Sequence, residues 1–269
     1  MSTYSNNPNE SVIIGDEAVE GIALDTYSEG VWSPGTAEVV RELPLALYLN
    51  GEELVTILCT PQKLNCLVLG FLYLEGIIED IGEVSYMRVC LEESLAEIRL
   101  SHGYTPPEKA ILTSGCGGGR SFTKGLEGIR PLDSDLVIEP GALLKAMSQM
   151  LKAAALYRRC GGVHTSALSN GKDLVAVGED VGRHNTIDKL QGECMLTGRS
   201  TKDMLLVTTG RLSSEMLLKA ARMETPVVVS RSSPTDRAIS LAREQGITLV
   251  GYARGQRFSV YAHGERLQV

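Results

Sequence analysis

The strongest constraint on the fold lies near the end of the chain, where three apolar stretches alternate with helical ones. The apolar stretches are MLLVTTG (204–210), PVVVS (226–230) and ITLVGYA (247–253). Each is continuously apolar, which is typical of strands buried on both faces of a parallel sheet. Helices predicted over 212–223 and 234–245 connect them. This β-α-β-α-β order predicts an α/β domain whose sheet is covered by helices.

The preceding sequence mixes α and β patterns. Asn50-Gly51 and Asn170-Gly171 each separate two apolar runs, which predicts two hairpins, because Asn-Gly suits the positive φ angles of a tight turn. Residues 83–100 are predicted to form another pair of strands. Further helices are predicted after an N-cap at Thr60, from Pro140 to Gly161-Gly162, and from about Arg183 to Thr197.

The stretch SHGYTPPEKA (101–110), with one glycine and two prolines, is the predicted domain boundary. We therefore expect a small α+β domain over residues 1–105 and an α/β domain over 106–269. The segment 113–131 inside the second domain is rich in glycine and has little apolar periodicity. Loops of this length in compact domains are usually functional or disordered, so we predict a mobile loop there.

The charge of the chain is distributed unevenly. The net charge is −7, but residues 1–100 contain 4 Lys+Arg and 17 Asp+Glu, whereas the remainder contains 22 Lys+Arg and 16 Asp+Glu. The second part is therefore the better place for an anionic ligand, although two differing solvated surfaces would give the same count. Aromatic residues make up 5% of the chain, which disfavours base-stacking platforms, so we expect no nucleic-acid partner.

The spacing of the cysteines and the length of the apolar runs predict where in the cell the protein is found. No apolar run is long enough to span a membrane, and the first residues lack the pattern of a secretory signal. The six cysteines show no paired spacing and no C-x-x-C motif. We therefore expect a cytoplasmic protein with reduced thiols, no membrane association and no structural zinc site.

One cysteine lies in an unusual context. In TSGCGGGRSF (113–122), Cys116 precedes three consecutive glycines and Arg120. A buried structural cysteine needs no such segment, whereas a reactive thiol that meets two partners in turn benefits from low backbone barriers. A nearby cation, such as Arg120 or Lys124, favours the thiolate form. Cys116 is therefore a candidate catalytic residue, and an unreactive loop thiol is the alternative.

Four polar, glycine-rich stretches of the second part are candidates for ligand binding. They are GGVHTSAL with His164, GEDVGRHNTIDKL with Asp180 and His184, TTGRLSSEMLLKA with Arg211, and GYARGQRF with Arg254 and Arg257. Two of them follow predicted parallel strands, at whose carboxyl ends ligands gather in open α/β sheets. The structural alternatives are a histidine bonded to a backbone carbonyl, a capping ion pair of Asp180 with Arg183, and ordinary strand-to-helix turns.

Several enzyme classes are disfavoured by missing motifs. A zinc deaminase needs H-x-E followed by P-C-x-x-C, but His263-Gly264-Glu265 stands almost at the end of the chain and no C-x-x-C exists. The phosphate-binding P-loop is absent, and no G-x-G-x-x-G opens a helix of a β-α-β unit.

The cysteine loop LTSGCG and the stretches GGVHTSAL, GEDVGRHNTIDKL, TTGRLSSEMLLKA and SSPTDRAISLAREQGITLVGYARG together resemble the FdhD family of formate dehydrogenase accessory sulfurtransferases. The resemblance covers nearly the whole chain and is strongest from about residue 110 onward. It implies a cytidine-deaminase-like, three-layer C-terminal domain without zinc, and a smaller α+β N-terminal domain. The implied activity is relay of persulfide sulfur from a cysteine desulfurase to the bis-molybdopterin guanine dinucleotide cofactor of formate dehydrogenase, and the implied assembly is a homodimer.

The resemblance also implies roles for particular residues. Cys116 matches the cysteine that forms the persulfide. The segment assigned to cofactor binding corresponds here to Tyr252, Ala253, Arg254, Gly255, Gln256 and Arg257. The chain departs from the family pattern at Gly119, where many members have a second loop cysteine. A mechanism that needs two loop thiols is therefore in question, whereas a single-cysteine route is not.

The chemistry of the cofactor, which is the bound substrate, suggests further contacts. Arg211, Arg254 and Arg257 suit its pyrophosphates, because a guanidinium donates two parallel hydrogen bonds. Asp180 is a candidate for the guanine edge, since a carboxylate accepts two hydrogen bonds there. His164 and His184 are candidates for orienting phosphates or moving protons. GDP or GMP is therefore the expected surrogate ligand.

Two other functions stay open. The chain is alternatively a non-covalent chaperone that binds the guanine dinucleotide cofactor and delivers it to formate dehydrogenase. A nucleotide-acting enzyme with non-metal chemistry is a third possibility, but the sequence shows no nucleophile–base pair for it. A persulfide on Cys116 distinguishes the first two functions.

Overall fold

The computed structural model describes residues 18–105, 111–112, 120–121 and 129–268. The strands are β1 (Val19–Ser28), β2 (Val31–Val40), β3 (Leu43–Leu49), β4 (Glu52–Cys59), β5 (Val84–Cys90), β6 (Leu95–Leu100), β7 (Ile111–Leu112), β8 (Arg120–Ser121), β9 (His164–Ser169), β10 (Leu174–Asp180), β11 (Leu205–Thr208), β12 (Val227–Ser230), β13 (Thr248–Arg254) and β14 (Arg257–Ala262). The helices are α1 (Leu64–Leu74), α2 (Pro140–Ala153), α3 (Ala155–Cys160), α4 (Arg183–Thr197), α5 (Ser214–Arg222) and α6 (Asp236–Gln245). None of the helices in these ranges is long and apolar enough to cross a membrane.

The β-α-β-α-β run lies in a six-stranded sheet of order β10-β9-β11-β12-β13-β14. Strands β11, β12 and β13 are parallel to one another, as predicted, and the flanking strands are antiparallel. Alternate residues of the central strands face opposite sides: Leu206 and Val228 pack with α4, α5 and α6, while Val207 and Val229 pack with α2. Two apolar faces explain why these strands lack polar alternation.

This arrangement gives three layers, with helices on both sides of one sheet. The mixed α/β class predicted from the sequence is therefore confirmed. The more specific likeness to cytidine deaminases stays a prediction.

A second sheet, of order β4-β3-β6-β5, carries α1 on one face. Its first hairpin turns at Asn50 and Gly51, both with positive φ (52° and 92°), which confirms the Asn-Gly prediction. The predicted strand pair over 83–100 is also confirmed. Alternate residues of β3, such as Leu45 and Leu47, are fully buried beneath Leu67 and Leu72 of α1.

The predicted start of α1 is wrong. Thr60 does not cap the helix, which begins at Leu64 after Lys63 in the left-handed conformation. Instead, the backbone N–H of Thr60 donates to Asp180 Oδ2 (3.0 Å), and the Thr60 hydroxyl accepts from the backbone N–H of Val181 (3.1 Å). A long-range contact thus takes up the groups that a local cap would use.

Two other departures have local causes. The helix predicted from Pro140 onward breaks at Ala154, because the Glu179 carboxylate accepts hydrogen bonds from Leu156 and Tyr157 N–H (2.9 Å each) and starts a new helix there. Strand β14 was not predicted. It follows a turn at Gly255, whose φ is +59°, and pairs back onto β13.

The two sheets are joined where α1 crosses α4. A Cβ on Gly70 of α1 would lie 1.8 Å from the Asp188 carbonyl oxygen, and a Cβ on Gly192 of α4 would lie 1.9 Å from that of Cys66. Only glycine permits this separation of the two backbones. We call this contact, with the charged groups buried beside it, the α1/α4 interface. The predicted division at residues 105/106 stays a prediction.

Charged side chains close the α1/α4 interface. Lys189 and Asp180 are both fully buried and lie 2.6 Å apart. Lys219 of α5 contacts Asp188 (2.6 Å) and Glu75 (3.1 Å), which follows α1. The contact of Lys219 with Glu75 links α5 to the end of α1, and each of these buried charges has an opposite charge beside it.

Candidate functional site

The polar loops of the six-stranded sheet meet along one edge. Strands β11 and β12 end at Thr208 and Ser230, and the antiparallel β9 begins at the same edge with His164, opposite the end of β10. The start of α4 and the β13–β14 hairpin lie here as well. We call this the carboxyl edge, comprising His164, 181–184, 208–215, 230–235 and 252–257. Stretches far apart in sequence are thus brought together, as the rule for open α/β sheets predicts.

A network of buried hydroxyl groups supports the turn after β11. The Ser166 hydroxyl lies 2.6 Å from that of Thr186 and 2.8 Å from that of Thr208. Gly210 N–H donates to Thr208 Oγ1 (3.1 Å), and Ser230 Oγ donates to the Gly210 carbonyl (2.6 Å). These buried hydroxyl groups therefore hold the backbone of the turn in place, while the next residue, Arg211, is exposed.

The predicted cofactor-binding segment forms the β13–β14 hairpin. Arg254 and Arg257 face one another across it, and both are exposed, as are Gly255 and Gln256. Arg254 Nε donates to the Arg231 carbonyl (3.1 Å), which anchors one arginine and leaves its other donors available. The other two residues of this segment differ from each other in exposure. Ala253 is buried, and Tyr252 is exposed with a φ of +53°.

The two predicted histidines both contact residues at the turn after β11. His184 Nε2 is 3.0 Å from Glu215 Oε2 and 3.4 Å from the hydroxyl of Ser213, which caps α5. His164 Nδ1 is 3.4 Å from Thr209 Oγ1. These contacts hold both rings at the carboxyl edge.

Burial, aided by positive charge, disfavours protonation of both histidines at this edge. Burial lowers the pKa of His184, with Arg183 acting in the same direction and the hydrogen bond to Glu215 opposing it. Burial likewise lowers the pKa of His164, with further contributions from Arg183 and His184. Bringing an anion to this edge would offset that positive field.

Arg183 links the start of α4 to the turn after β11. A Cβ built on Gly210 would lie 3.0 Å from the Arg183 Cβ, so the aliphatic part of Arg183 covers the glycine. Glycine at this position allows the turn to approach the helix start. The proximity places Arg183 and Arg211 on the same stretch of surface.

Asp180 differs from the other candidates because it is fully buried. Its oxygens accept from the N–H groups of Thr60 (3.0 Å) and Gly182 (2.8 Å), from Asn185 Nδ2 (2.8 Å) and from Lys189 (2.6 Å). A contact with guanine would require these bonds to be exchanged. The guanine role stays a prediction. The ion-pair partner that the structure gives Asp180 is Lys189, and helix α4 has Gly182 at its N-cap, without a side-chain cap.

Sequence reasoning did not select Glu215 or Arg231. Glu215 lies in the quoted motif TTGRLSSEMLLKA, but only its distance from His184 shows that the two side chains interact. Arg231 follows β12 directly, so the rule that ligands gather at the carboxyl ends of strands was a signal that points to it. Its carbonyl holds Arg254.

Cys116 and the glycines after it lie outside the described residues. Thr105 and Ile129, between which the structure describes only 111–112 and 120–121, both line a cavity of about 1020 Å³. The cavity lies at the opposite edge of the sheet, beside Asp203 and Glu224, which precede β11 and β12. The persulfide role of Cys116 stays a prediction. In the described ranges, no group of three or more metal-ligating side chains is found.

Comparison with known proteins decides the family. The model of the FdhD/NarQ family matches residues 40–268. The chain belongs to the FdhD/NarQ family. It is similar to the sulfur carrier protein FdhD of Bacillus subtilis (strain 168), with 39% identity over 90% of this chain and 95% of that protein. It is also similar to the protein of the same name from Staphylococcus aureus (strain MRSA252), with 33% identity over 96% of this chain and 98% of that protein.

A solved structure supports the same conclusion. A formate dehydrogenase accessory protein from Desulfotalea psychrophila superposes with a TM-score of 0.78, at 27% identity, covering 93% of this chain and all of that one. In the present chain, the residues of the motif GEDVGRHNTIDKL contribute to two different regions of the structure. Arg183 and His184 lie at the carboxyl edge, whereas Asp188 and Lys189 lie in the α1/α4 interface.

Proposed function

We propose that this protein is a sulfur carrier that relays persulfide sulfur from a cysteine desulfurase to the bis-molybdopterin guanine dinucleotide cofactor of formate dehydrogenase. The observation that carries the proposal is the carboxyl edge, which gathers three exposed arginines of two separate motifs on a sheet of this family's fold. The names of the relatives, sulfur carrier protein and formate dehydrogenase accessory protein, agree with it.

The carboxyl edge suits a pyrophosphate. Arg211, Arg254 and Arg257 are exposed and their guanidinium groups can each donate paired hydrogen bonds to phosphate oxygens. The adjacent α5 points its N-terminal N–H groups toward this edge, and these also favour an anion. His164 and His184 complete the donor set. The molybdenum cofactor is the substrate, and GDP is the probe that reports on its nucleotide end.

The sulfur chemistry is assigned to Cys116. Its thiolate attacks the outer sulfur of the persulfide on the desulfurase. A new S–S bond forms on Cys116, the S–S bond of the donor breaks, and the donor cysteine leaves as a thiolate. Release of the outer sulfur as sulfide then follows attack of an external thiol on Cys116, which leaves a mixed disulfide. The external thiol supplies the two electrons that convert the outer sulfur to sulfide, so this route needs no second loop cysteine.

Intact mass spectrometry tests the relay. The protein is incubated with a cysteine desulfurase and cysteine, as wild type, as Cys116→Ala and as Cys160→Ala, since Cys160 is a half-buried cysteine of α3, far from Cys116 in sequence. We expect a mass increase of one sulfur atom on wild type and Cys160→Ala and none on Cys116→Ala. The same adduct on all three proteins, or none on any with an active desulfurase, would reject Cys116 as the carrier.

A non-covalent chaperone is the second candidate. Gly119 favours it, because it stands where many family members have a second loop cysteine. In that case GDP binds at the carboxyl edge, but no sulfur adduct forms and Cys116→Ala still supports maturation of formate dehydrogenase. Activation of the dehydrogenase by this variant therefore separates the two functions.

A further inference from the structure

The cavity of about 1020 Å³ lies at the edge of the six-stranded sheet opposite the carboxyl edge, between two hydrophobic cores. Ile78 belongs to the core of the four-stranded sheet, and Leu132 packs against the core of the six-stranded sheet. Tyr73 of α1 packs against both. A cavity of this volume with partly apolar walls is large enough for a small molecule. We call it the amino-edge cavity, and its polar lining includes Tyr73, Glu79, Arg222 and Glu224.

Arg222, the last residue of α5, has a guanidinium group without a partner. Its Nε atom is buried and makes no hydrogen bond, and Arg222 forms no ion pair among the described residues. The buried carboxylates of Glu75 and Asp188 are bonded to Lys219 instead. Burial lowers the pKa of Arg222, with Glu75 and Tyr73 opposing it. A half-buried guanidinium stays charged, so its lost hydration favours an anion at this position.

Gly76, in the turn after α1, makes room for this guanidinium. A Cβ on Gly76 would lie 2.5 Å from Arg222 Nη1 and 2.9 Å from Nη2. The φ of Gly76 is +70°, which also favours glycine. The guanidinium therefore lies directly against the backbone of this turn, in the lining of the amino-edge cavity.

Opposite charges surround one phenol of the cavity. Burial raises the pKa of the Tyr73 hydroxyl, and the negative charges of Glu224 and Glu79 raise it further. Arg222 acts on the same pKa in the opposite direction. Glu79 is exposed and forms no ion pair among the described residues, and Glu224 has Lys202 at 4.0 Å. The amino-edge cavity thus presents a cation and two weakly paired carboxylates around the same side chain.

We propose that the amino-edge cavity binds a free α-amino acid with a large apolar side chain. The carboxylate of the ligand accepts paired hydrogen bonds from Arg222, and its ammonium lies against the carboxylates of Glu79 and Glu224. An α-amino acid carries these two charges on one carbon atom, which matches a site where both signs meet. Its side chain packs on the apolar wall formed by Ile78 and Leu132. A simple carboxylate would leave the acidic side of the site unmatched.

Isothermal calorimetry on the full chain tests the ligand class. L-Leucine and L-phenylalanine are the probes, isocaproate is the leucine analogue without the ammonium, and L-leucinamide is the analogue without the carboxylate. We expect at least one of the two amino acids to bind with a dissociation constant in the micromolar to millimolar range. Each analogue is expected to bind at least about tenfold more weakly than leucine, because one charge-assisted contact is lost.

Matched variants test the location of the site. Arg222→Met is expected to raise the dissociation constant of the amino acid at least about tenfold, and Glu224→Gln about threefold. Arg243→Met and Glu244→Gln are the controls, since both residues are exposed near the end of α6, as Arg222 is at the end of α5. Denaturant unfolding checks that each variant is folded. Glu224 is exposed, so Glu224→Gln tests the site even if Arg222→Met does not fold.

Three results would overturn the proposal. Neither amino acid binds at millimolar concentration, or isocaproate or leucinamide binds as tightly as leucine, or the variants at the cavity bind no more weakly than their controls. None of these results bears on sulfur transfer or on GDP binding, because the amino-edge cavity contains no residue of the carboxyl edge.

Discussion

The carboxyl edge and the α1/α4 interface use polar residues of the same motif in opposite ways. At the interface, Asp180 and Lys189 are fully buried, 2.6 Å apart, and bonded to further partners. At the edge, His164 and His184 are only partly buried, and their side-chain contacts span 3.0–3.4 Å. A saturated buried charge fixes a conformation, whereas a half-buried side chain with longer contacts retains capacity for a ligand.

The comparison assigns two roles to one motif. Variants of the interface are expected to change the free energy of unfolding, and variants of the edge are expected to change ligand affinity. Measurements of both quantities on the same variants would show whether the two regions are separable.

Lys189→Met is the change with the largest expected effect. It leaves Asp180 as a buried charge without its cation, and removal of one partner of a buried pair typically costs about 3–5 kcal/mol. The free energy of unfolding is measured with denaturant, with Lys202→Met as control. Lys202 is exposed and 4.0 Å from Glu224, so its loss is expected within about 0.5 kcal/mol.

A second variant separates the charge from the side-chain volume. In Asp180→Asn with Lys189→Met, no buried charge is left alone, so part of the lost stability is expected to return. If the single and double variants were equally unstable, packing rather than charge would account for the interface.

Gly192→Ala tests the close approach of α1 and α4. The new Cβ would lie 1.9 Å from the Cys66 carbonyl oxygen, so the helices must separate. We expect a loss of about 3 kcal/mol, at the upper end of the usual cost of overpacking. Gly141→Ala, in the exposed first turn of α2 with no atom within 4 Å, is the control and should gain up to about 1 kcal/mol. Equal melting temperatures for the two variants would contradict the interface geometry.

The pH dependence of stability probes the second ion cluster. Burial raises the pKa of Asp188 from its ordinary 3.8 to about 6, against the opposing effect of Lys219. The folded state therefore binds this proton more tightly than the unfolded state does, so the contribution of Asp188 to stability falls as pH rises from about 4 to about 6. We expect a loss of about 1–3 kcal/mol across this window.

Asp188→Asn removes that titration. Its free energy of unfolding is expected to be flatter than that of wild type between these pH values, when both are measured by denaturant unfolding in buffers of equal ionic strength. Parallel curves for the two proteins would show that the cluster is not the source of the slope.

The sequence predicts local and periodic features well and long-range contacts poorly. The Asn-Gly turn at Asn50 and the buried strands of the six-stranded sheet follow from local chemistry, and both are confirmed. The start of α1 was mispredicted because Thr60 bonds to Asp180, which lies 120 residues away. No local pattern contains that information.

The same limit applies to the candidate site. The carboxyl-end rule placed Arg211 and Arg254 on one edge of the sheet, because strand direction follows from the β-α-β order. The rule could not predict that Asp180 is buried in the interface while His184 lies at the carboxyl edge, since both are polar residues of one short motif. Asp180 is the more deeply buried of the two, and one of its contacts is with Thr60, which follows β4 of the second sheet.

Arg254→Ala is expected to have the smallest effect on stability and the clearest effect on binding. Arg254 is exposed, and within the described part of the chain it donates one hydrogen bond, to the Arg231 carbonyl, so the free energy of unfolding should change by no more than about 0.5 kcal/mol. Affinity for GDP, measured by calorimetry, should fall by about 1–3 kcal/mol, because a charge-assisted bond to phosphate is lost. Arg88→Ala, an exposed arginine of the four-stranded sheet paired with Glu93, is the charge-matched control. If both variants bound GDP like wild type, the phosphate site would lie elsewhere; if both weakened it equally, net charge rather than the carboxyl edge would attract the nucleotide.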